Sequence, residues 1–417
     1  MHEPPMTLLG LGRSAERVVR PRRALRAGSA HAVAVAVAVA LGILLSRIDG
    51  GARVASDRVV DVLKVVGLGV LSITTLIFSL LFLVVQWAAG NFSHRLTLFR
   101  SDPVVWRVFA FTIGVLAFTV ASMLTIGSRP SVSLAVPVTT LVLAALTLLL
   151  VRRLQLDALR SIQLSHVLDD LRGRGLDALA MYYPPVGDGE PRPALPDGPE
   201  TSGPVSSVRW RGDAALVEQL DLVRAARAAA RTGAVVVLRA RVGDTLYRGD
   251  VVADVHGGPV PEEDVLGAVV VGRERTFHQD PALAFRLLAD IGLRALSPAV
   301  NDPATAVQVL DTLEDLLRRL VAGDTGRATR AIADRTGAVR LVMSVPGWEE
   351  LLRTGLDDVL DAAANAPMVL ARCRVLLSGV LAVAPAGCRP VLERRLRWTE
   401  RRLADRRPSF AADGPTG

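Results

Sequence analysis

Apolar residues gather into four long runs in the first third of the chain, at 28–45, 65–87, 104–126 and 131–151. Each run approaches the ~20 residues that carry a helix across ~30 Å of hydrocarbon. None has an acidic residue in its interior, and Arg107 lies one turn inside the third, close enough to its end to snorkel back to the head groups. The first run alternates Ala and Val from Ala32 to Ala40, as a strand would. A lone strand in lipid leaves its backbone polar groups unpaired, so a helix is expected there too. Its alanines permit close approach of a neighbouring helix. The run is also long for a cleaved signal ending near Arg53-Val54-Ala55, and three more runs follow, so it is read as a retained anchor.

Beyond residue 151 the pattern changes. Leu154, Leu156, Leu159, Ile162, Leu164, Val167, Leu168 and Leu171 recur at helical spacing, which predicts one polar helix leaving the membrane over 152–180. Residues 184–206 are dense in Pro, Gly, Asp and Ser and read as a linker. Asp213 is placed to cap a helix over 214–231. Strands are expected at 235–241 and 251–255, with turns at Gly243-Asp244 and Arg248-Gly249-Asp250 bracketing Thr245-Leu246-Tyr247. The spacing resembles the half-barrel of swinging-arm carrier domains but lacks the carrier lysine, so it is read as a small structural β-unit.

Further on, Asp280-Pro281 and Asp302-Pro303 each supply a capping carboxylate followed by a proline suited to the first helical position. Phe285, Leu288, Ile291 and Leu296 make an apolar stripe on the first of these two helices, and Asp290 and Arg294 are spaced to pair along one face. The expected fold is therefore a membrane α-helical domain of four transmembrane helices plus a cytoplasmic α+β domain. Its parts are a basic cytoplasmic segment 1–27, the transmembrane domain 28–151, a juxtamembrane helix 152–183, the linker 184–206, the α+β domain 207–405 and a disordered tail 406–417.

Charge sets the direction. Thirteen arginines flank the runs on one side of the membrane and five basic residues on the other. The thirteen include Arg13, Arg17, Arg20, Arg22, Arg23 and Arg26 before the first run and Arg152, Arg153 and Arg160 after the last. This bias places both termini in the cytoplasm. The net charge of +8 is concentrated beside the membrane, so no nucleic-acid partner is expected.

Lys64 is the only lysine among 49 basic residues. It sits beside an apolar run, which excludes a phosphate-binding P-loop, Schiff-base and pyridoxal chemistry, and a biotin or lipoyl carrier. Cys373 and Cys388 are too few and too isolated for a disulfide framework or a zinc site, and the six histidines are scattered singly. Gly10-Leu11-Gly12 follows no strand and is not read as a dinucleotide loop. No cofactor, metal or catalytic residue is assigned.

The most distinctive stretch runs from Arg275-Thr276-Phe277-His278-Gln279-Asp280-Pro281 to Leu296-Ser297-Pro298-Ala299-Val300-Asn301-Asp302-Pro303. Carboxylates with an amide oxygen suit Mg²⁺, and arginines suit phosphate. Arg275, Asp280, Asp290, Arg294, Ser297, Asn301 and Asp302 are therefore the candidate ligand-binding residues, weighed against plain helix capping and ion pairing.

Residues 275–310 also resemble the signature of a bacterial family of predicted membrane proteins, domain of unknown function 2254. The matching positions are Arg275, Gln279, Asp280, Asp290, Ile291, Arg294 to Pro298, Asn301 to Pro303, Thr305 and Ala306. Gln86, Phe92-Ser93-His94-Arg95 and Asp102 are similar to its membrane region, with His94 where the family usually has proline. The resemblance implies a multi-span protein of the bacterial inner membrane with a soluble domain and supplies no reaction. Three function classes follow. The first is a membrane-anchored sensor or scaffold binding a protein or small-molecule ligand. The second is an oligomeric conduit gated by its cytoplasmic domain, and the third a metal- or phosphate-handling enzyme. The lipid bilayer is a partner in all three, and a homo-oligomer is required by the second.

Overall fold

The computed structural model describes residues 23–48, 50, 52–91, 103–127, 129–161, 163–183, 206–323, 325, 328–334 and 336–405. The basic segment before Arg23, the Phe92-Ser93-His94-Arg95 stretch with Asp102, nearly all of the 184–206 linker and the 406–417 tail lie outside the described residues. The chain divides into two compact units, Arg20–Val167 and Leu168–Gly417.

The first unit contains α1 (Arg23–Ser46), β1 (Arg53–Ala55), α2 (Ser56–Asn91), α3 (Pro103–Ile126), β2 (Ser131–Ser133) and α4 (Ala135–Ser161). Among the described residues three helical stretches are long and apolar enough to cross a membrane: Ser56–Leu83, Val104–Ile126 and Ala135–Asp157. The alternating Ala/Val run is helical within α1, and its apolar stretch among the described residues is Ala32–Ser46.

Helix α3 packs against α1, α2 and α4. At Gly42 the backbones of α1 and α3 meet so closely that an added Cβ would stand 2.8 Å from the Phe118 carbonyl oxygen. Two apolar clusters hold the bundle. Ile77, Leu81, Val108, Val151 and Leu154 form one, and Val59, Leu63, Ile126, Val132 and Val136 the other. The loops joining α1 to α2 and α3 to α4 are tied together as an antiparallel ladder pairing Val54 with Val132. Arg129 Nη1 donates to the Ser46 carbonyl at 3.0 Å, placing a cation on the carbonyl end of α1, where the helix dipole favours it.

Helix α5 (Leu164–Tyr182) begins just before the second unit, after a break at residue 163, so the single helix expected over 152–180 is two. The second unit continues with β3 (Ser206–Arg209), β4 (Ala215–Leu220), α6 (Leu222–Thr232), β5 (Val235–Leu238), β6 (Thr245–Leu246), β7 (Val251–His256), α7 (Glu262–Leu266) and β8 (Val269–Gly272). Then come α8 (Pro281–Ala295), α9 (Pro303–Ala322), β9 (Thr329–Ala333), β10 (Val339–Ser344), α10 (Trp348–Leu352), α11 (Asp358–Ala362), α12 (Pro367–Val383) and α13 (Arg389–Asp405). A single π turn, Arg353–Asp357, joins α10 to α11.

The strands form a five-stranded sheet ordered β3-β7-β5-β10-β9 and a three-stranded sheet ordered β6-β4-β8. Only the β5–β10 pair is parallel among the described ladders. Gly243 and Gly249 take positive φ (92° and 96°) at the two expected turns around β6.

The first third of the helix expected over 214–231 is a strand. Residues 215–220 pair with both β6 and β8, and the helix starts at Leu222. Its cap is Asp221, whose carboxylate accepts from the Arg224 amide at 3.0 Å, whereas Asp213 pairs with Arg248 at the surface. Pairing with two sequence-distant strands outweighs the local helical spacing of an alanine-rich stretch. Helices α8 and α9 lie in the core with Phe285, Leu288, Ile291, Val309, Leu313 and Leu316 almost fully buried.

Candidate functional site

The seven candidate residues fall at the two ends and the middle of α8, a 15-residue helix about 22 Å long. At its start Asp280 is buried and caps the helix, accepting from the Leu283 amide at 3.1 Å. Arg275 closes on the same carboxylate with a two-pronged contact, Nε to Oδ2 at 2.6 Å and Nη2 to Oδ1 at 2.8 Å. Burial pushes the Asp280 carboxyl above its ordinary range, while the guanidinium and the capping amide oppose that shift. The Arg275 guanidinium lies on the Gly243 turn, where a Cβ would meet Nη2 at 2.9 Å.

Between these two residues Thr276 Oγ1 donates to the Glu218 carbonyl (3.3 Å). Gln279, buried at 3% exposure, grips the backbone of Leu220 from both sides. Its Oε1 accepts from the Leu220 amide at 2.7 Å and its Nε2 donates to the Leu220 carbonyl at 3.1 Å. The stretch 275–280 thus fastens the start of α8 to β4. Gln279 matched the family signature but was not among the sequence-based candidates. A single neutral amide gives no pattern by itself, because its partner lies 59 residues away.

In the middle of α8 Asp290 takes Arg286 as its ion-pair partner at 2.9 Å, one turn before it. The expected partner Arg294, one turn after, leaves its Nε buried without a hydrogen bond. Arg286 also reaches Asp358 at 3.3 Å, so the α8 charge faces the chain after the π turn.

At the far end the corner between α8 and α9 is tied by backbone. Ser297 Oγ donates to the Arg294 carbonyl (2.7 Å), and the Ser297 carbonyl accepts from the Asn301 amide (2.9 Å). Asn301 adopts φ +48°, the only positive φ outside glycine among the described residues. Asp302 caps α9 through the Thr305 amide (3.1 Å) and hydroxyl (2.6 Å), and these bonds hold its carboxyl below the ordinary range. Pro298, Ala299, Val300 and Asn301 are exposed.

Arg275 and Asp280 therefore meet each other, Ser297, Asn301 and Asp302 share one corner, and the two groups stand about a helix length apart. Among the described residues no three His, Cys, Asp or Glu side chains gather as metal ligands.

Next to the corner runs a groove of about 510 Å³ between α9 and α12, lined by Ala304, Val307, Met368, Ala371, Arg372 and Val375 among others. Met368 and Val375 are more than half exposed, and Val300 on the corner nearly so. Arg372 bridges the two helices, Nε to Asp311 and Nη2 to Glu314 at 2.5 Å each, and leaves Nη1 buried without a partner. A second hollow of about 740 Å³ near Trp348 and Cys388 is flanked by neutral groups, and both thiols of the chain are buried and free.

The sequence profile of the DUF2254 predicted membrane proteins matches residues 29–378. The chain belongs to this family. Two uncharacterized relatives, one from Mycobacterium bovis and one from Mycobacterium tuberculosis, are each 29% identical to it over 339 residues. That alignment takes in 76% of this chain and 63% of each relative, so the chain spans less than two thirds of their length. No solved structure matches. The match to the family covers α8, the corner, α9 and the apolar helices in one span, and with them every candidate residue.

Proposed function

We propose that this family member is a membrane-anchored scaffold or sensor of the bacterial inner membrane. It crosses four times with both termini cytoplasmic, and its soluble unit binds a partner along the α9/α12 groove. The observation that carries the reading is the groove itself, with apolar walls of Ala304, Val307, Met368 and Val375. Such a surface suits an amphipathic helix that lays apolar side chains between α9 and α12.

Helix α1 supplies the fourth crossing in this reading. Its support is the close packing along α3 at Gly42 and the arginine bias of the flanking segments. The signature residues then divide their labour. Arg275, Gln279 and Asp280 hold α8 to β4, while Ser297, Asn301 and Asp302 shape the exposed corner at the mouth of the groove. The conduit alternative gains little within one copy, because most span hydroxyls, Thr75, Ser79, Thr112, Thr119, Thr125, Thr140 and Thr147, bond carbonyls of their own helices.

A photo-crosslinking residue in place of Met368, in the full-length chain in its own membrane, tests the scaffold reading. The expected result is one discrete adduct that disappears with Val375→Glu and persists with Tyr247→Glu, a change at an exposed residue of the β-unit. Adducts that form equally with and without Val375→Glu overturn it.

A further inference from the structure

We propose that the outward face of α2 is the surface through which copies of this chain pack side by side in the membrane. Helix α2 carries two seams of the same period. The inner one, with Leu63, Val70 and Ile77 seven residues apart and Thr74 and Leu81 beside them, is buried within the unit. The outer one repeats the spacing on the opposite side. Leu68, Thr75 and Phe82 form one column and Ser72, Ser79 and Gln86 the other, each at intervals of seven, and all six are exposed. A seven-residue repeat is the signature of helices wound around each other with a left-handed twist, since it keeps one stripe facing a partner over many turns.

Polarity separates this face from lipid-facing surface. On α3 and α4 the hydroxyls Thr112, Thr119, Ser122, Thr140 and Thr147 are buried and Thr125 and Thr139 half-buried, and the exposed residues along α4 from Val138 to Leu149 are apolar. Helix α2 instead turns Ser72, Thr75, Ser79 and Gln86 outward. Thr75 and Ser79 donate to the carbonyls one turn back (2.9 Å each), which keeps these side chains short against the helix and lets another backbone come near. Gly69, beside the seam, has open space where a Cβ would stand.

The occupant is a second copy, and it lies parallel, because the arginine bias inserts every copy the same way. Charge complementarity agrees. Asp61 and Lys64 extend the outer face at its start, 55% and 75% exposed for Lys64 and Asp61 respectively, and lie 3.5 Å apart. Parallel neighbours bring the lysine of one copy level with the carboxylate of the next, so the contact is attractive at that end. A cyclic arrangement about an axis along the membrane normal satisfies every copy alike.

Disulfide scanning of the full-length chain in isolated membranes tests this. Ser72→Cys and Ser79→Cys are compared with Val37→Cys on α1 and with Leu141→Cys and Leu149→Cys on α4, all at exposed positions. The two natural thiols are buried and stay silent. Copper-phenanthroline is expected to yield several-fold more cross-linked dimer from the two α2 positions than from the three controls. Equal yields from both sets, or none from α2, overturn the proposal. Subunit counting by single-molecule photobleaching in nanodiscs gives an independent reading. More than one copy per particle is expected, falling to one with Ser72→Phe/Ser79→Phe at unchanged melting temperature. Wild-type particles holding a single copy overturn it.

Discussion

Gln279 offers the sharpest test of how the soluble unit is held together. Its amide replaces a missing strand neighbour for Leu220, whose amide and carbonyl lie on the side of β4 that faces the start of α8. Both residues are almost wholly buried, so Gln279→Ala leaves one donor and one acceptor without partners. Each stranded buried group costs about 1–3 kcal/mol, which puts the combined loss at about 2–6 kcal/mol. For a unit of this size each kcal/mol moves the melting temperature by about 2–4 °C, so a central loss of about 4 kcal/mol lowers it by about 8–16 °C.

Thermal unfolding of the full-length protein in detergent reads the shift, and hydrogen exchange by mass spectrometry reads the Leu220 amide directly. That amide exchanges faster in the variant while the amides of α12 keep their protection. Gln279→Glu adds a sign. Its carboxylate still accepts from the Leu220 amide but sets an acceptor against the Leu220 carbonyl. The carboxyl is then held protonated by burial and by that carbonyl, with a folded pKa above the unfolded one. Its penalty is largest at neutral pH and shrinks as pH falls through the folded pKa. A Gln279→Ala protein melting within about 2–4 °C of wild type, the shift expected for a single kcal/mol, with Leu220 exchange unchanged, would refute the clamp.

Two further outcomes follow from the same geometry. Asn301→Ala forces a β-carbon-bearing residue without a local hydrogen-bonding side chain into positive φ and costs about 1–2 kcal/mol, whereas Asn301→Gly restores the backbone freedom. Equal melting of Asn301→Gly and wild type with loss of the Met368 adduct would assign the amide a binding role, while recovery of both makes it a backbone device. Asp334, although burial opposes ionisation, is held down to about 2 by the Thr336 hydroxyl, Arg340 and the amides of Thr336 and Ala338. Its folded pKa lies below the unfolded one, so its contribution is present above about 4 and is lost as pH falls toward 2. Asp334→Asn should flatten that part of the melting-temperature profile, and an unchanged acid limb counts against the assignment.

Local rules were sufficient wherever a residue's role depends on its neighbours in the chain. Asp280-Pro281 and Asp302-Pro303 begin helices as their chemistry requires, with both carboxylates on the amides three residues on. The turns at Gly243 and Gly249, the apolar stripe of Phe285, Leu288 and Ile291, and the apolar helices of the first unit were legible for the same reason. The alternating Ala/Val run, expected to be helical despite its strand-like alternation, is helical.

Tertiary structure decided what distant partners decide. Residues 215–220 became a strand because β6 and β8 lie on either side of them, overriding the helical spacing around Asp213. Asp290 pairs with Arg286 rather than Arg294, against the orientation that helix electrostatics favours, and Arg286 also reaches Asp358, 72 residues away. Gln279 acquired its role only when α8 met β4, and the single block of candidate residues split when α8 held its two ends apart. Periodicity specifies which face of a helix is apolar; which element covers that face is set by packing across the whole chain.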